Sequence, residues 1–190
     1  MDTSTKNLIK YLILPLALLL IAISFGLYQT RPDWKLHVNS YESGEIFVQT
    51  YQGNKILING GPGDKILSEL GRILPFYDHQ IDLLILTQAD DFHATGLVYV
   101  LKRYEVQQVL LPAGEMNSSA MKELLDLINQ KQMVIAYLNT NQRIMLDSGT
   151  LLDLQARQIS FGQTQIKLSG YQTGEIISDG NEVYKKIEQK

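Results

Sequence analysis

The sequence predicts an α/β domain preceded by one amino-terminal transmembrane helix, and three observations lead to this prediction. An uncharged apolar run covers residues 11–28. From residue 45 onward, two or three antiparallel strands are followed by alternating helical and strand patterns, which is the order of a mixed sheet with helices packed on it. One strand, Asp82 to Leu86, leads directly into a polar loop, Thr87 to Thr95, that is rich in potential ligands.

The amino-terminal run is long enough to cross a bilayer. Eighteen residues at about 1.5 Å each extend roughly 27 Å. A cleaved signal peptide is the alternative, but bulky Leu27 and Tyr28 stand where small residues mark a cleavage site. We expect a short tail (1–10), a single-pass transmembrane helix (11–28) and a linker (29–33). The lysines before the segment favour an amino terminus inside and a C-terminal domain outside the cytoplasm.

The composition excludes several classes of function. The chain has no cysteine, so it has no disulfide, thiolate nucleophile or cysteine-rich metal site. Its formal net charge of −3 gives no overall basic field to attract nucleic acid. The remaining part, about 160 residues, is enough for one domain, which we place at 34–178, with a polar tail at 179–190.

The individual elements follow from hydrophobic periodicity and turn residues. Strands are predicted at Trp34–Val38, Glu45–Tyr51, Lys55–Asn59, Asp82–Leu86, Gln108–Leu111, Met133–Leu138, Arg143–Leu146, Leu151–Ala156, Gln158–Phe161 and Gln163–Leu168. Helices are predicted between Asp64 and Pro75, from Gly96 to Tyr104, and after Ser118 or Ser119. No helical stripe follows Lys131, so the later strands form a second sheet without helices to cover it.

The polar loop after Leu86 supplies the candidate site residues, because open α/β sheets place their sites where strands end. Asp90 and His93 can lie close together in a turn, where a carboxylate and an imidazole hold one ion or act as an acid–base pair. Such a reduced site, with Asp91, favours a hard divalent cation if it binds any. In the alternative interpretation, both aspartates accept backbone N–H bonds near a helix start, and neither metal nor cofactor binds.

Three stretches of the sequence resemble known motifs, in the same order. K-I-L-I-N-G-G-P-G-D at 55–64 resembles a strand ending in I-D-G-G, and G-R-I-L-P-F at 71–76 resembles the helix end that follows it. D-L-L-I-L-T-Q-A-D-D-F-H-A-T-G-L at 82–97 resembles a strand followed by L-T-H-x-H-x-D-H-x-G-G-L. These motifs resemble the extracellular metallo-β-lactamase-fold domain of ComEC-type competence proteins, the channel family of bacterial DNA uptake. The resemblance implies an αββα sandwich, here with an incomplete second half.

Most metal ligands of that family are replaced in this chain. The two histidine positions of the motif hold Gln88 and Asp90, the aspartate position holds Phe92, and the last histidine is kept as His93. The aspartate of I-D-G-G, which supports the metal site in that family, is Asn59 here. Since no histidine follows residue 93 and a catalytic zinc usually needs three protein ligands, we expect no dinuclear centre.

Other residues have both a functional and a structural interpretation, and the structural one is favoured for each. The glycines at 60, 61 and 63 can bind an anion or turn the chain, and Lys102 and Arg103 can contact a phosphate backbone or form a solvated face. The remaining histidines and the tyrosines are expected to be structural or packing residues: His37, His79, Tyr41, Tyr51, Tyr77, Tyr99 and Tyr104.

These observations favour a membrane-anchored, non-catalytic metallo-β-lactamase-fold module that acts by binding, as an accessory to DNA uptake or as a surface interaction module. The alternative is a metal-dependent hydrolase of phosphodiesters with a reduced site at Asp90, Asp91 and His93. A third interpretation is a split remnant whose site another subunit completes. The uncovered second sheet predicts that this sheet is small, or that a second copy or a partner protein covers it.

Overall fold

The computed structural model describes residues 13, 15–23, 35–138, 143–168 and 174–187. The chain divides into two units, Met1–Asp33 and Trp34–Lys190. In the first unit, helix α1 covers 15–23. Within the described part of the chain, no helix is long and apolar enough to span a bilayer, which contradicts the transmembrane helix in the predicted fold class. Residues 11, 12, 14 and 24–28 of that predicted helix lie outside the described residues.

The second unit is a mixed α/β structure with two sheets. Its strands are β1 (Leu36–Ser40), β2 (Ile46–Gln49), β3 (Lys55–Ile58), β4 (Gln80–Ile85), β5 (Glu105–Pro112), β6 (Val134–Leu138), β7 (Arg143–Met145), β8 (Thr150–Asp153), β9 (Gln158–Phe161), β10 (Thr164–Lys167), β11 (Gly174–Ser178) and β12 (Val183–Ile187). Its helices are α2 (Lys65–Ile73), α3 (Asp91–Arg103) and α4 (Ser119–Gln130).

The larger sheet has the order β12-β11-β1-β2-β3-β4-β5-β6 among the described strands. The pairs from β12 to β3 are antiparallel, whereas β3, β4, β5 and β6 run parallel to one another. In the parallel half, β3, β4 and β5 are each followed by a helix, because a parallel pair needs a crossover connection. The carboxyl ends of β3 and β4 therefore lie side by side.

A first core joins the helices to one face of the larger sheet. Its sheet residues include Phe47, Leu57 and Leu84, and its helix residues include Leu70 and Leu97, all fully buried. The apolar stripe of α2 predicted from the sequence is the face that enters this core. Burial of this stripe, rather than helix propensity, is what stabilises so short a helix.

A second core lies between the larger sheet and the smaller one, whose order is β10-β9-β8-β7. Val48, Ile56 and Ile85 of the larger sheet meet Leu152 and Ile159 of the smaller one. Along β2 and β3, consecutive side chains therefore point alternately into the first and the second core, because side chains alternate between the two faces of a strand. This is why β2 and β3 read as continuous apolar runs in the sequence.

The outer face of the smaller sheet is mainly polar. Alternation along its strands leaves six polar side chains pointing away from the second core, together with Leu151 and with Met145, which is 73% exposed; the polar ones are Arg143, Asp153, Gln158, Ser160, Gln165 and Lys167. An antiparallel sheet of this pattern can face water on one side. The covering second copy or partner protein stays a prediction.

Three features of the second unit differ from the sequence prediction, besides shifts of a few residues at strand ends. Strand β11 (Gly174–Ser178) lies in a stretch where no strand is predicted. The polar tail predicted at 179–190 contains β12, which pairs with β11, while residues 188–190 lie outside the described residues. The strand reads V-Y-K-K-I, so its valine, tyrosine and isoleucine favour an extended conformation although the residues around them are polar. Helix α3 begins at Asp91 rather than Gly96, because the polar residues 90–95 that suggested a loop form its cap and first turn.

Candidate functional site at the ends of β3 and β4

Asn59 joins the carboxyl ends of the two neighbouring parallel strands. Its backbone N–H donates to the carbonyl of Ile85 at 2.8 Å, and its side-chain Oδ1 accepts from both N and Oγ1 of Thr87 at 3.0 Å. Asn59 has a φ of 60°, a left-handed conformation that asparagine tolerates better than most residues. A neutral amide oxygen thus provides the acceptor that orders the start of the loop after β4.

Asp90 is the N-cap of α3, and its carboxylate is fully engaged by His93. Oδ1 accepts the backbone N–H of His93 at 2.8 Å, and the ring Nδ1 of His93 lies 2.7 Å from Oδ1 and 2.9 Å from Oδ2. Partial burial raises the pKa of Asp90, but the hydrogen bonds from His93 outweigh it and the pKa lies below its ordinary value of 3.8. Asp90 is therefore a charged cap over the helix start.

Asp91 is directed to a different helix. Its Oδ1 accepts the backbone N–H of Ala120 at 2.8 Å, in the first turn of α4. The side chain therefore ties the start of α3 to the start of α4. The two neighbouring carboxylates serve two separate backbone donors and do not meet at a common point.

The predicted metal candidates do not form a cluster. Among the residues the structure describes, no group of three or more histidines, cysteines, aspartates or glutamates could hold an ion. Gln88 is exposed beside them, and the ring of Phe92 is about half exposed and packs edge-on against His93. The loop brings Asp90 and His93 together, with a backbone contact that the capping interpretation predicts and a ring contact that the carboxylate–imidazole interpretation predicts.

Three glycines form a close backbone contact between the turn after β3 and the first turns of α3, here called the glycine contact (Gly60, Gly61 and Gly96). Gly60 N–H donates to the carbonyl of His93 at 2.8 Å, and Gly96 N–H donates to the carbonyl of Gly61 at 2.9 Å. A Cβ added at Gly96 would overlap the Gly60 carbonyl oxygen. Gly60 and Gly61 therefore turn the chain, as predicted, and they also pack against the backbone of Gly96.

Glu45 is a residue of this region that the sequence analysis did not identify. It precedes β2, is 4% exposed, and its carboxyl group packs directly on Gly61. Burial raises the pKa of Glu45 above its ordinary value of 4.5. Its Oε2 has no hydrogen-bond partner among the described residues. Nothing in the sequence distinguishes this acid from a solvated turn residue, because its burial depends on the distant glycine turn.

The other predicted residues lie away from this region or are already paired. His37 on β1 contacts Glu175 of β11 through Nδ1 at 3.3 Å, and the ring of His79, at the amino end of β4, lies beside buried Tyr104. Lys102 of α3 forms an ion pair with Glu123 of α4 at 2.6 Å. These contacts match structural roles for the histidines and a solvated face for Lys102.

No protein-family model matches the chain, and no curated protein matches its sequence.

Proposed function

We propose that the Trp34–Lys190 unit acts by binding, as a non-catalytic relative of the extracellular metallo-β-lactamase-fold domain of ComEC-type proteins. The observation that carries this proposal is the use of the loop carboxylates. Asp90 accepts from His93 with both oxygens, and Asp91 accepts from Ala120. The membrane location predicted from residues 11–28 forms no part of this proposal.

The contacts that these loop residues already make support the absence of a metal centre in this proposal. An ion bound by the Asp90 carboxylate would compete with the cap of α3, and loss of a cap costs about 1 kcal/mol. An ion bound by Asp91 would compete with the bond to Ala120 N–H. A catalytic zinc usually has three protein ligands, and this loop offers only one imidazole.

Metal analysis of the purified full-length chain tests this proposal. After incubation with excess zinc or manganese and removal of unbound metal, we expect metal well below one ion per chain. The matched variant is Asp90→Asn with His93→Ala, which should give the same residual content as the wild type. A stoichiometric ion in the wild type that the double variant lacks would contradict the proposal.

The part of the proposal that concerns DNA uptake comes from the resemblance alone. A gel-shift titration of the full-length chain with duplex and single-stranded DNA, at low and moderate salt, tests it. Binding through phosphate contacts should weaken steeply as salt rises. Absence of any shift at low salt would end the DNA proposal, while the binding-module proposal would then concern a protein partner.

The Asp90–His93 contact favours one second candidate, a metal-dependent phosphodiesterase. Because Nδ1 of His93 contacts the carboxylate, Nε2 is oriented for a second contact, as in carboxylate–histidine pairs that bind metal. Hydrolysis of bis(p-nitrophenyl) phosphate in the presence of manganese distinguishes the candidates. The binding proposal predicts no rate above buffer, and a rate that His93→Ala abolishes would establish the second candidate instead.

A further inference from the structure

Strand β6 (Val134–Leu138) forms one edge of the larger sheet. It pairs in parallel register with β5, from Gln108 opposite Val134 to Pro112 opposite Leu138. Within the described ranges, no strand pairs with its other side. An edge of this kind presents unpaired N–H and C=O groups, and these groups fit another extended strand.

The side chains of β6 do not protect this edge. The strand reads V-I-A-Y-L, with no charge and no proline, whereas natural edge strands commonly carry lysine, proline or a bulge that prevents pairing. Val134 is 61% exposed and Tyr137 is 55% exposed, and Ala136 between them is exposed as well. Backbone groups and apolar side chains are therefore available together along one short stretch.

We propose that this edge pairs with β6 of a second copy of the chain, in antiparallel register about a two-fold axis at Ala136. In this register Val134 lies opposite Leu138 and Ile135 lies opposite Tyr137, so that every residue of the strand has a partner. Any other centre leaves residues unpaired at both ends. The smallest side chain of the strand lies at the axis, where the same residue of the two copies faces itself.

The composition of the strand favours a second copy over a segment of another protein. Added strands are selected through side-chain pockets and charges, and β6 offers no charge with which to select a foreign sequence. Self-pairing about a two-fold axis brings no like charges together and gives the commonest symmetry of protein oligomers. A contact of one short strand lies at the low end of interface sizes, so the dimer should form and dissociate with concentration.

Disulfide cross-linking tests the register directly, because the natural chain has no cysteine. Residues opposite each other in an antiparallel pair have Cα atoms about 4.5–5.5 Å apart, which lies within the range that a disulfide bridges. Under mild oxidation, the full-length Ala136→Cys variant should give a covalent dimer on a non-reducing gel. The matched control is Ala156→Cys, an exposed alanine in the turn between β8 and β9. Equal cross-linking of the two variants would overturn the proposal.

Charged variants at the axis provide a second test that does not depend on oxidation. Sedimentation of the full-length wild type should show a monomer–dimer equilibrium, and Ala136→Lys and Ala136→Glu should each be monomeric because like charges meet at the axis. An equal mixture of the two variants should recover a dimer. A wild type that stays monomeric at every concentration, or dimers that persist in both variants, would overturn self-pairing. Neither result bears on the metal content or DNA binding tested above.

Discussion

Two carboxyl groups lie on either side of the glycine contact, and their pKa values shift in opposite directions. Asp90 caps α3, whose His93 carbonyl receives the Gly60 N–H, and its pKa is lowered because N–H groups donate to the carboxylate. Glu45 packs on Gly61, and its pKa is raised because burial disfavours the charge. The first acid is charged and satisfied, whereas the second is buried with one oxygen unpartnered among the described residues.

This difference shows that acidic residues in one small region need not form a site. Chemistry on a metal pair needs carboxylates that converge with free lone pairs. Asp90 and Asp91 instead each accept a backbone N–H at a different helix start, and Glu45 packs on Gly61. The region is organised for the junction between strands and helices.

The largest effect is expected from closing the space that the glycine contact requires. In Gly96→Ala, the new Cβ overlaps backbone atoms of Gly60, which cannot move as a flexible side chain would. We expect the free energy of unfolding to fall by about 3 kcal/mol or more, or the chain to fail to fold. Chemical denaturation of the full-length chain measures this effect.

The matched control is Gly71→Ala in α2, where nothing lies within 4 Å of the added Cβ. Alanine is the better helix former, so this variant should be more stable by about 0.5–1 kcal/mol. Similar small effects of both substitutions would show that Gly60 and Gly96 are not in close contact, and the region would then not be a rigid joint.

Glu45→Gln should change how stability depends on pH. Because the pKa of Glu45 is raised in the folded chain, its contribution is fully present below about pH 4.5 and is lost as the pH rises through the folded pKa. Near Glu45, Lys65 opposes this shift and Glu69 adds to it. The slope reaches at most about 1.4 kcal/mol per pH unit for one group. Glutamine does not titrate, so the free energy of unfolding of the variant should increase relative to that of the wild type as the pH rises from 4.5 toward 7.

Denaturation curves at a series of pH values measure this gain. The control is Glu105→Gln, at an exposed position at the start of β5. Its plot of unfolding free energy against pH should be parallel to that of the wild type. If the Glu45→Gln curve also ran parallel, the buried acid would not titrate differently on folding, and its contrast with Asp90 would disappear.

Asp90→Ala should have a smaller effect, because the side chain is 46% exposed. Loss of the cap should lower the free energy of unfolding by about 1 kcal/mol, whereas Asp90→Asn keeps an oxygen that accepts the His93 N–H and should lose less. Since the pKa of Asp90 is lowered, its charged contribution is present above about pH 3.8 and is lost as the pH falls through the folded pKa. Equal losses in both variants at pH 7 would argue against a capping role.

The smallest effect is expected at the exposed ion pair between Lys102 and Glu123, which joins α3 to α4 away from the glycine contact. Both side chains are about half exposed, so Lys102→Ala should change the free energy of unfolding by about 0.5 kcal/mol or less. A much larger loss would mean that the helix–helix contact depends on this pair rather than on buried apolar residues.

The sequence predicts most strands and helices of the second unit because burial leaves a pattern in local residues. β9 is predicted at its observed bounds, and α2 follows Asp64 as expected. The sequence does not predict β12, because the polar residues around Val183, Tyr184 and Ile187 resemble a tail and the partner strand β11 is not predicted either. Residues 90–95 have the sequence pattern of a loop, because cap residues and loop residues are of the same types.

At the candidate site, the sequence predicts that Asp90 and His93 can lie close together and gives two alternative uses for them, although these residues belong to the start of α3 and not to a loop. It does not predict the direction of each side chain, because Asp91 finds its donor on α4, 29 positions away. Glu45 and the partnership of Gly60 with Gly96 are missed for the same reason. Each depends on a contact between segments far apart in the chain.

The central claim is that Asp90, Asp91 and His93 secure helix starts and do not hold a metal. Thermal unfolding of the full-length chain with zinc, with manganese and with a chelator tests this claim most directly, since a ligand that binds the folded chain raises its stability by mass action. We predict the same midpoint under all three conditions. A midpoint that rises with metal in the wild type, and does not rise in Asp90→Asn with His93→Ala, would contradict the claim.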